Sequence, residues 1–395
     1  MTQNKFFGSL LLIAGTTIGA GMLALPIASA GLGFGASVLV MLLLWGLMAY
    51  TALLLVEVHQ FAPPEASLNQ LAFKLLGRPG QVIASSALMF LLYALCAAYI
   101  AGGGEQLNQK LTLWLGLALP SQFATILFTL VFGTIVGLGT HSVDLINRGL
   151  FIVKICALLM LLGLLLPKVD GQHLLALPVE QGLIISAIPV VFTSFGFHGS
   201  IPSVVRYLGV DVKSLRRLML LGSALPLLIY LLWQLGSQGV LTQTQLMHSQ
   251  SLTGFINQLD VVMQNQYLTM AVSLFAALAL ATSFLGVSLG LFDFMAANLK
   301  QNNNVSRRSV TSAITFIPPL GFALFYPQGF ITALGFASIA LVILAVFLPV
   351  AMVWAQRRHR DEAQLPRGYR VTGGKPALLL AAVSGVMIIA AQFGG

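Results

Sequence analysis

Charge is absent over long stretches of this chain, and the edges of those stretches mark out its elements. No Asp, Glu, Lys or Arg occurs between Lys5 and Glu57, Arg78 and Glu105, Glu180 and Arg206, Asp260 and Asp293, or Arg308 and Arg357. A helix of about 20 apolar residues crosses a ~30 Å hydrocarbon core, and each interval holds one or two such lengths. Together with the remaining apolar runs, the pattern predicts eleven membrane-crossing helices, at 6–30, 34–58, 80–106, 121–140, 147–166, 183–205, 214–235, 267–297, 309–326, 328–355 and 376–393. The expected fold class is an all-α polytopic membrane protein.

Composition agrees with this reading. Of 395 residues, 57% are hydrophobic and 8% charged, where a soluble domain carries roughly 25% charge, so an ordinary soluble enzyme is excluded. The net charge of +9 would raise nucleic-acid binding in a soluble protein, but its placement gives another explanation. Cationic loops resist translocation. With a cytoplasmic N-terminus, 18 of the 20 Lys and Arg fall on the inner side, leaving only Lys110 and Lys168 outside. No nucleic-acid partner is expected, and an odd number of spans puts the C-terminus on the outer face.

Two spans are poor helices at their centres. The first runs smoothly from Phe6 to Ala14, then reads Gly15-Thr16-Thr17-Ile18-Gly19-Ala20-Gly21 before resuming towards Pro26. The sixth behaves alike, with Thr193-Ser194-Phe195-Gly196-Phe197-His198-Gly199-Ser200 ahead of Pro202. Backbone groups released by unwinding cannot face lipid and must line a cavity or meet a ligand. Paired interruptions of this kind point to a substrate site between two repeats. The N-terminus of the resumed first helix suits a carboxylate. Carbonyls at the opposing half-helix ends suit an ammonium group, and the two poles together describe a zwitterionic amino acid. The competing explanation, close helix packing through small residues, is preferred for Gly133 with Gly137 and Gly286 with Gly290.

The polar residues inside the spans complete the candidate site. His198 stands in the second interruption, where it either exchanges protons or braces the unwound backbone. Lys154 lies seven residues into span five. It either snorkels to the interface or points into the bundle, where a buried Lys can fill a cation site and carry a proton. Thr282 and Ser283 supply adjacent hydroxyls, able to hold Na⁺ with carbonyls of span one or to accept from Lys154. Tyr93 and Tyr99 on span three are candidates for the wall of an aromatic side-chain pocket. Gly19-Ala20-Gly21-Met22-Leu23-Ala24 imitates a dinucleotide fingerprint without its strand and acidic partner. Gly286-Val287-Ser288-Leu289-Gly290 imitates a nucleophile elbow without its strand-to-helix turn. No metal-ligand spacing appears, and Cys96 and Cys156 lie in apolar spans.

The segments 14–24, 193–200, Ala281-Thr282-Ser283-Phe284-Leu285-Gly286 and Phe325-Tyr326-Pro327 resemble those of the hydroxy/aromatic amino acid permease family over nearly the whole chain. The resemblance implies the leucine-transporter-type fold: a first five-helix repeat at 1–166, an inverted second repeat at 167–355, then a cytoplasmic loop and eleventh helix at 356–395. It also implies a multi-pass protein of the bacterial inner membrane that takes up L-tyrosine by proton symport, with helices 1, 2, 6 and 7 moving against the rest. A Lys on helix 5 resembles the one that replaces a sodium site in proton-coupled relatives. The expected substrate contacts are Thr16, Thr17, Gly19, Ala20, Gly21, Thr193, Ser194, Phe195 and Gly196 for the amino-acid backbone and Phe197 and Tyr93 towards the ring, with His198 also among the site residues. Proton coupling falls to Lys154 and then His198. No cofactor, metal or obligatory protein partner is expected beyond membrane lipid. The alternatives are a sodium-coupled symporter using Thr282 and Ser283, and a broader permease for phenylalanine or tryptophan.

Overall fold

Long apolar stretches without Asp, Glu, Lys or Arg leave the backbone one way to satisfy its polar groups in lipid, which is helix. The computed structural model describes residues 2–116, 120–179, 181–249, 251–298, 305–366 and 368–394. Among them there is no strand. The α-helices are α1 (Thr2–Thr17), α2 (Gly21–Ala28), α3 (Gly33–His59), α4 (Leu68–Leu115), α5 (Ser121–Leu138), α6 (Thr140–Leu165), α7 (Gln181–Ser194) and α8 (Ile201–Leu208). They continue with α9 (Val212–Val240), α10 (Gln243–His248), α11 (Leu252–Met263), α12 (Gln266–Asn298), α13 (Val305–Phe325), α14 (Phe330–Val342), α15 (Leu348–Glu362) and α16 (Gly374–Gly394). Among the described residues ten helical segments are long and apolar enough to cross a membrane, and the pair α1 and α2, bent by 49° at its break, makes an eleventh when taken as one span. Lys300 and Arg367, both counted in the charge asymmetry, lie outside the described residues.

Several boundaries differ from the expected ones. Helix α4 starts at Leu68 rather than near 80, because Ser67 and Gln70 form a reciprocal capping box well ahead of the apolar run. Its amphipathic first turns join the membrane segment through Gly77, whose φ of 71° only glycine adopts freely. Helices α10 and α11 occupy the polar-flanked stretch 243–263, for which no helix was expected. A capping box at Thr242 and Gln245 starts α10, and the Ser251 hydroxyl caps α11.

Helix α6 packs along α12, α3 along α9, and α1 against α9, while α4 lies among α5, α12, α13 and α14. Small residues permit these approaches. A Cβ on Gly103 would come within 2.5 Å of the Phe128 ring, and one on Gly104 within 2.5 Å of the Thr125 hydroxyl. Leu39, Leu43, Leu130, Ile152, Leu159, Leu379 and Leu380 stand outward and exposed, as a lipid-facing surface requires.

The ends that the charge count assigns to one side of the membrane also meet in space. At the end of α3, Glu57 is buried and receives Arg357 of α15 through bonds of 2.7 and 2.8 Å. The Val371 amide adds a third bond of 2.7 Å. Gln60 exchanges two bonds with the backbone of Tyr369, whose ring carries Arg216 of α9 at 4.5 Å. Burial of one member makes this pair costly to break. Glu57→Gln is expected to destabilise the protein by about 2 kcal/mol, moderated because the Arg357 side chain keeps 13% exposure. A lowered melting temperature in detergent would register it.

Candidate substrate site

Local chemistry places both breaks. Thr16 and Thr17 each turn their hydroxyl back to the Ile13 carbonyl, at 2.9 and 2.8 Å, in competition with the helix ladder. Gly19 and Gly21 follow, and glycine is a weak helix former. Helix α1 therefore ends at Thr17, and α2 begins at Gly21. In the other broken span α7 ends at Ser194, a single 3₁₀ turn covers His198–Ser200, and α8 restarts at Ile201 with Pro202 in its first turn.

The two breaks touch. The Ser194 hydroxyl lies 3.0 Å from the Gly21 carbonyl and 2.9 Å from the Val190 carbonyl, with one proton to share between them. A Cβ on Gly21 would lie 3.2 Å from Ser194 Oγ and 3.3 Å from its Cα, so glycine is what allows the approach. Tyr230 of α9 sets its hydroxyl between the two half-helix ends, 2.6 Å from the Thr17 carbonyl and 2.8 Å from the Ser194 carbonyl. Trp233, one turn further on, donates its indole N–H to the Met22 carbonyl at 3.0 Å. Both aromatic side chains are fully buried. The Ala20 amide donates to Ser283 Oγ of α12 at 3.0 Å, and a Cβ on Gly19 would come within 2.5 Å of that oxygen.

Beside the first break stands Lys154 of α6. It points into the bundle rather than to the interface, with 2% exposure. Its ammonium donates to the Ile18 carbonyl at 3.0 Å and to Thr282 Oγ1 at 3.2 Å, and lies 4.8 Å from the centre of the Phe151 ring. The amine of Lys154 thus sits where unwound backbone and a hydroxyl of α12 converge. Among the described residues no group of three His, Cys, Asp or Glu could hold a metal ion.

The model of the tryptophan/tyrosine permease family matches residues 2–392. The chain belongs to that family. A tyrosine-specific transport system 1 of Haemophilus influenzae is 46% identical to this permease, covering 99% of this chain and 97% of its own. A tyrosine-specific transport system 2 of the same organism is 44% identical, over 100% and 97%. A tryptophan-specific transport protein of Pseudomonas aeruginosa is 34% identical, over 97% and 93%. By family the chain is a membrane permease, a transporter rather than an enzyme.

The permease gathers Thr17, Gly19, Ala20, Gly21, Ser194, Lys154, Thr282 and Ser283 around the two breaks. Phe195 joins them by packing its ring against Tyr230, at 5.2 Å between centres. Other candidates turn elsewhere. Thr193 bonds the Pro189 and Leu334 carbonyls at 2.9 and 3.0 Å, and Gly196 abuts Leu341 of α14. Phe197 is buried against His198. His198 itself shares a 2.9 Å hydrogen bond with Thr51 of α3, and its other ring nitrogen is buried without a partner among the described residues. Tyr93 gives its hydroxyl to the Ile314 carbonyl at 2.8 Å and lines an apolar groove of about 270 Å³ between α4, α13 and α14. Sequence reasoning missed Tyr230 and Trp233. Their one visible signal was a pair of polar-tipped aromatics three apart in an apolar run, which long-range packing alone turns into caps for the breaks.

Proposed function

We propose that this permease accumulates L-tyrosine by proton symport across the bacterial inner membrane, with its N-terminus cytoplasmic and its C-terminus periplasmic. The observation that carries the reading is the 3.0 Å contact between Ser194 and Gly21, which sets the two broken helices face to face. The amino-terminal end of α2 would take the substrate carboxylate, and the carbonyls of Thr17 and Ser194 its ammonium. Tyrosine is preferred over tryptophan because the two tyrosine-specific systems of Haemophilus influenzae are more similar to this chain than the tryptophan-specific protein of Pseudomonas aeruginosa. In this reading residues 1–166 and 167–355 are inverted repeats and 356–395 carry the last loop and helix.

Proton coupling is supported by the position of Lys154. Its ammonium occupies the point between the Ile18 carbonyl and Thr282 that a sodium ion would otherwise need. Deprotonation of Lys154 would change the charge beside the first break, and with it the balance between the two ends of the transport cycle. In proteoliposomes, replacing sodium by choline at fixed pH is expected to leave tyrosine uptake unchanged, while collapsing the pH gradient abolishes accumulation. A strict sodium requirement would overturn the coupling assignment. Competition of labelled tyrosine against phenylalanine and tryptophan tests the ring preference, and unlabelled tyrosine is expected to compete best.

A further inference from the structure

The Tyr230 hydroxyl has one proton, yet it lies 2.6 Å from one buried carbonyl and 2.8 Å from another. Those carbonyls, of Thr17 and Ser194, end the two half-helices α1 and α7, where the helix dipoles concentrate partial negative charge. A neutral phenol satisfies such a pair poorly, since a single O–H cannot donate fully to both. An ammonium group brings three donors and a positive charge to the same acceptors. A donor that takes both carbonyls therefore competes with the phenol for them.

We propose that Tyr230 competes for the ammonium subsite: its hydroxyl holds the same two carbonyls that the substrate's α-ammonium takes, and it is displaced when an amino acid binds. The inference rests on reading the two breaks as an amino-acid site and goes beyond it by assigning a competitor from the protein itself. The ring is fully buried and packed on Phe195, the residue that directly follows Ser194. A small rotation that frees the two carbonyls would therefore press on the break itself. Displacement links occupancy of the site to movement of α9 relative to α1 and α7, and only a molecule with a cationic amine triggers it.

The test is binding of labelled L-tyrosine to the purified full chain in nanodiscs, for the wild type and Tyr230→Phe. Removing the hydroxyl takes the competitor away from both carbonyls, so the variant is expected to bind L-tyrosine roughly tenfold more tightly. Its affinity for 3-(4-hydroxyphenyl)propanoate, which has the carboxylate and ring but no amine, is expected to be unchanged. Tyr230→Phe affinity for L-tyrosine equal to or weaker than wild type would overturn the proposal and make Tyr230 a permanent brace. Equal tightening for the amine-free acid would overturn it as well. A second measurement does not depend on that variant folding. With 3-fluorotyrosine at position 230, the ¹⁹F resonance is expected to shift when L-tyrosine saturates the protein and to stay with the amine-free acid. A resonance unmoved by L-tyrosine contradicts displacement. Failure of the wild type to bind any aromatic amino acid would instead remove the amino-acid reading, a result distinct from both.

Discussion

Lys154→Ala is expected to reduce proton-driven accumulation of tyrosine in proteoliposomes to simple equilibration, while exchange of internal for external tyrosine persists. The side chain is 2% exposed and holds the Ile18 carbonyl and Thr282 at 3.0 and 3.2 Å. Each such charge-assisted bond contributes about 1.5–3 kcal/mol. Truncation therefore loosens the first break as well as removing the titrating group. Lys154→Gln separates the two effects. An amide keeps a donor for the Ile18 carbonyl but carries no proton through the cycle, so it should support exchange better than Ala and accumulation no better. Accumulation at the wild-type level in either variant would show that the coupling proton travels elsewhere. His198 would be the next group to examine, with its ring nitrogen bonded to Thr51.

The second large effect is steric. Gly21→Val would place a Cβ 3.2 Å from Ser194 Oγ and 3.3 Å from Ser194 Cα, with two further methyl groups beyond it. Overpacking of this kind costs about 1–3 kcal/mol. Here the strain falls on the contact that joins the breaks, so tyrosine binding is expected to weaken about 10- to 100-fold. Gly286→Val is the matched control. It also lies in a membrane helix, but an added Cβ there meets nothing within 4 Å, and affinity should stay near wild type. Equal loss in both variants would mean that bulk in any span is harmful, and that the Gly21 approach has no special part in binding.

Much of the architecture could be read from where charge is missing. The expected span 34–58 lies within Gly33–His59, 214–235 within Val212–Val240, and 267–297 within Gln266–Asn298, because an uninterrupted apolar run of that length satisfies its backbone as helix. The start of α4 was not legible that way. Its first turns are amphipathic and are set by the Ser67 cap rather than by hydropathy. Helices α10 and α11 escaped for the same reason, being short and started by the hydroxyls of Thr242 and Ser251. At the candidate site, local composition revealed the breaks, since glycine and hydroxyl residues weaken a helix wherever they cluster. It did not reveal what caps them. Lys154 could equally have snorkelled, and only packing of α6 against α12 turns it towards Ile18. Tyr93 and Tyr99 read alike in sequence, yet helical rotation sends one to the Ile314 carbonyl beside an apolar groove and buries the other in the bundle. Tyr230 is joined to the breaks across 213 and 36 residues of sequence, a separation over which no local pattern carries information.

A cryo-electron microscopy map of the permease with bound L-tyrosine examines the whole account at once. The predicted map has the amino acid between the breaks, its carboxylate at the start of α2 and its ammonium at the carbonyls of Thr17 and Ser194. Tyrosine density in the apolar groove beside Tyr93, or anywhere that leaves the two breaks without a ligand, would contradict it.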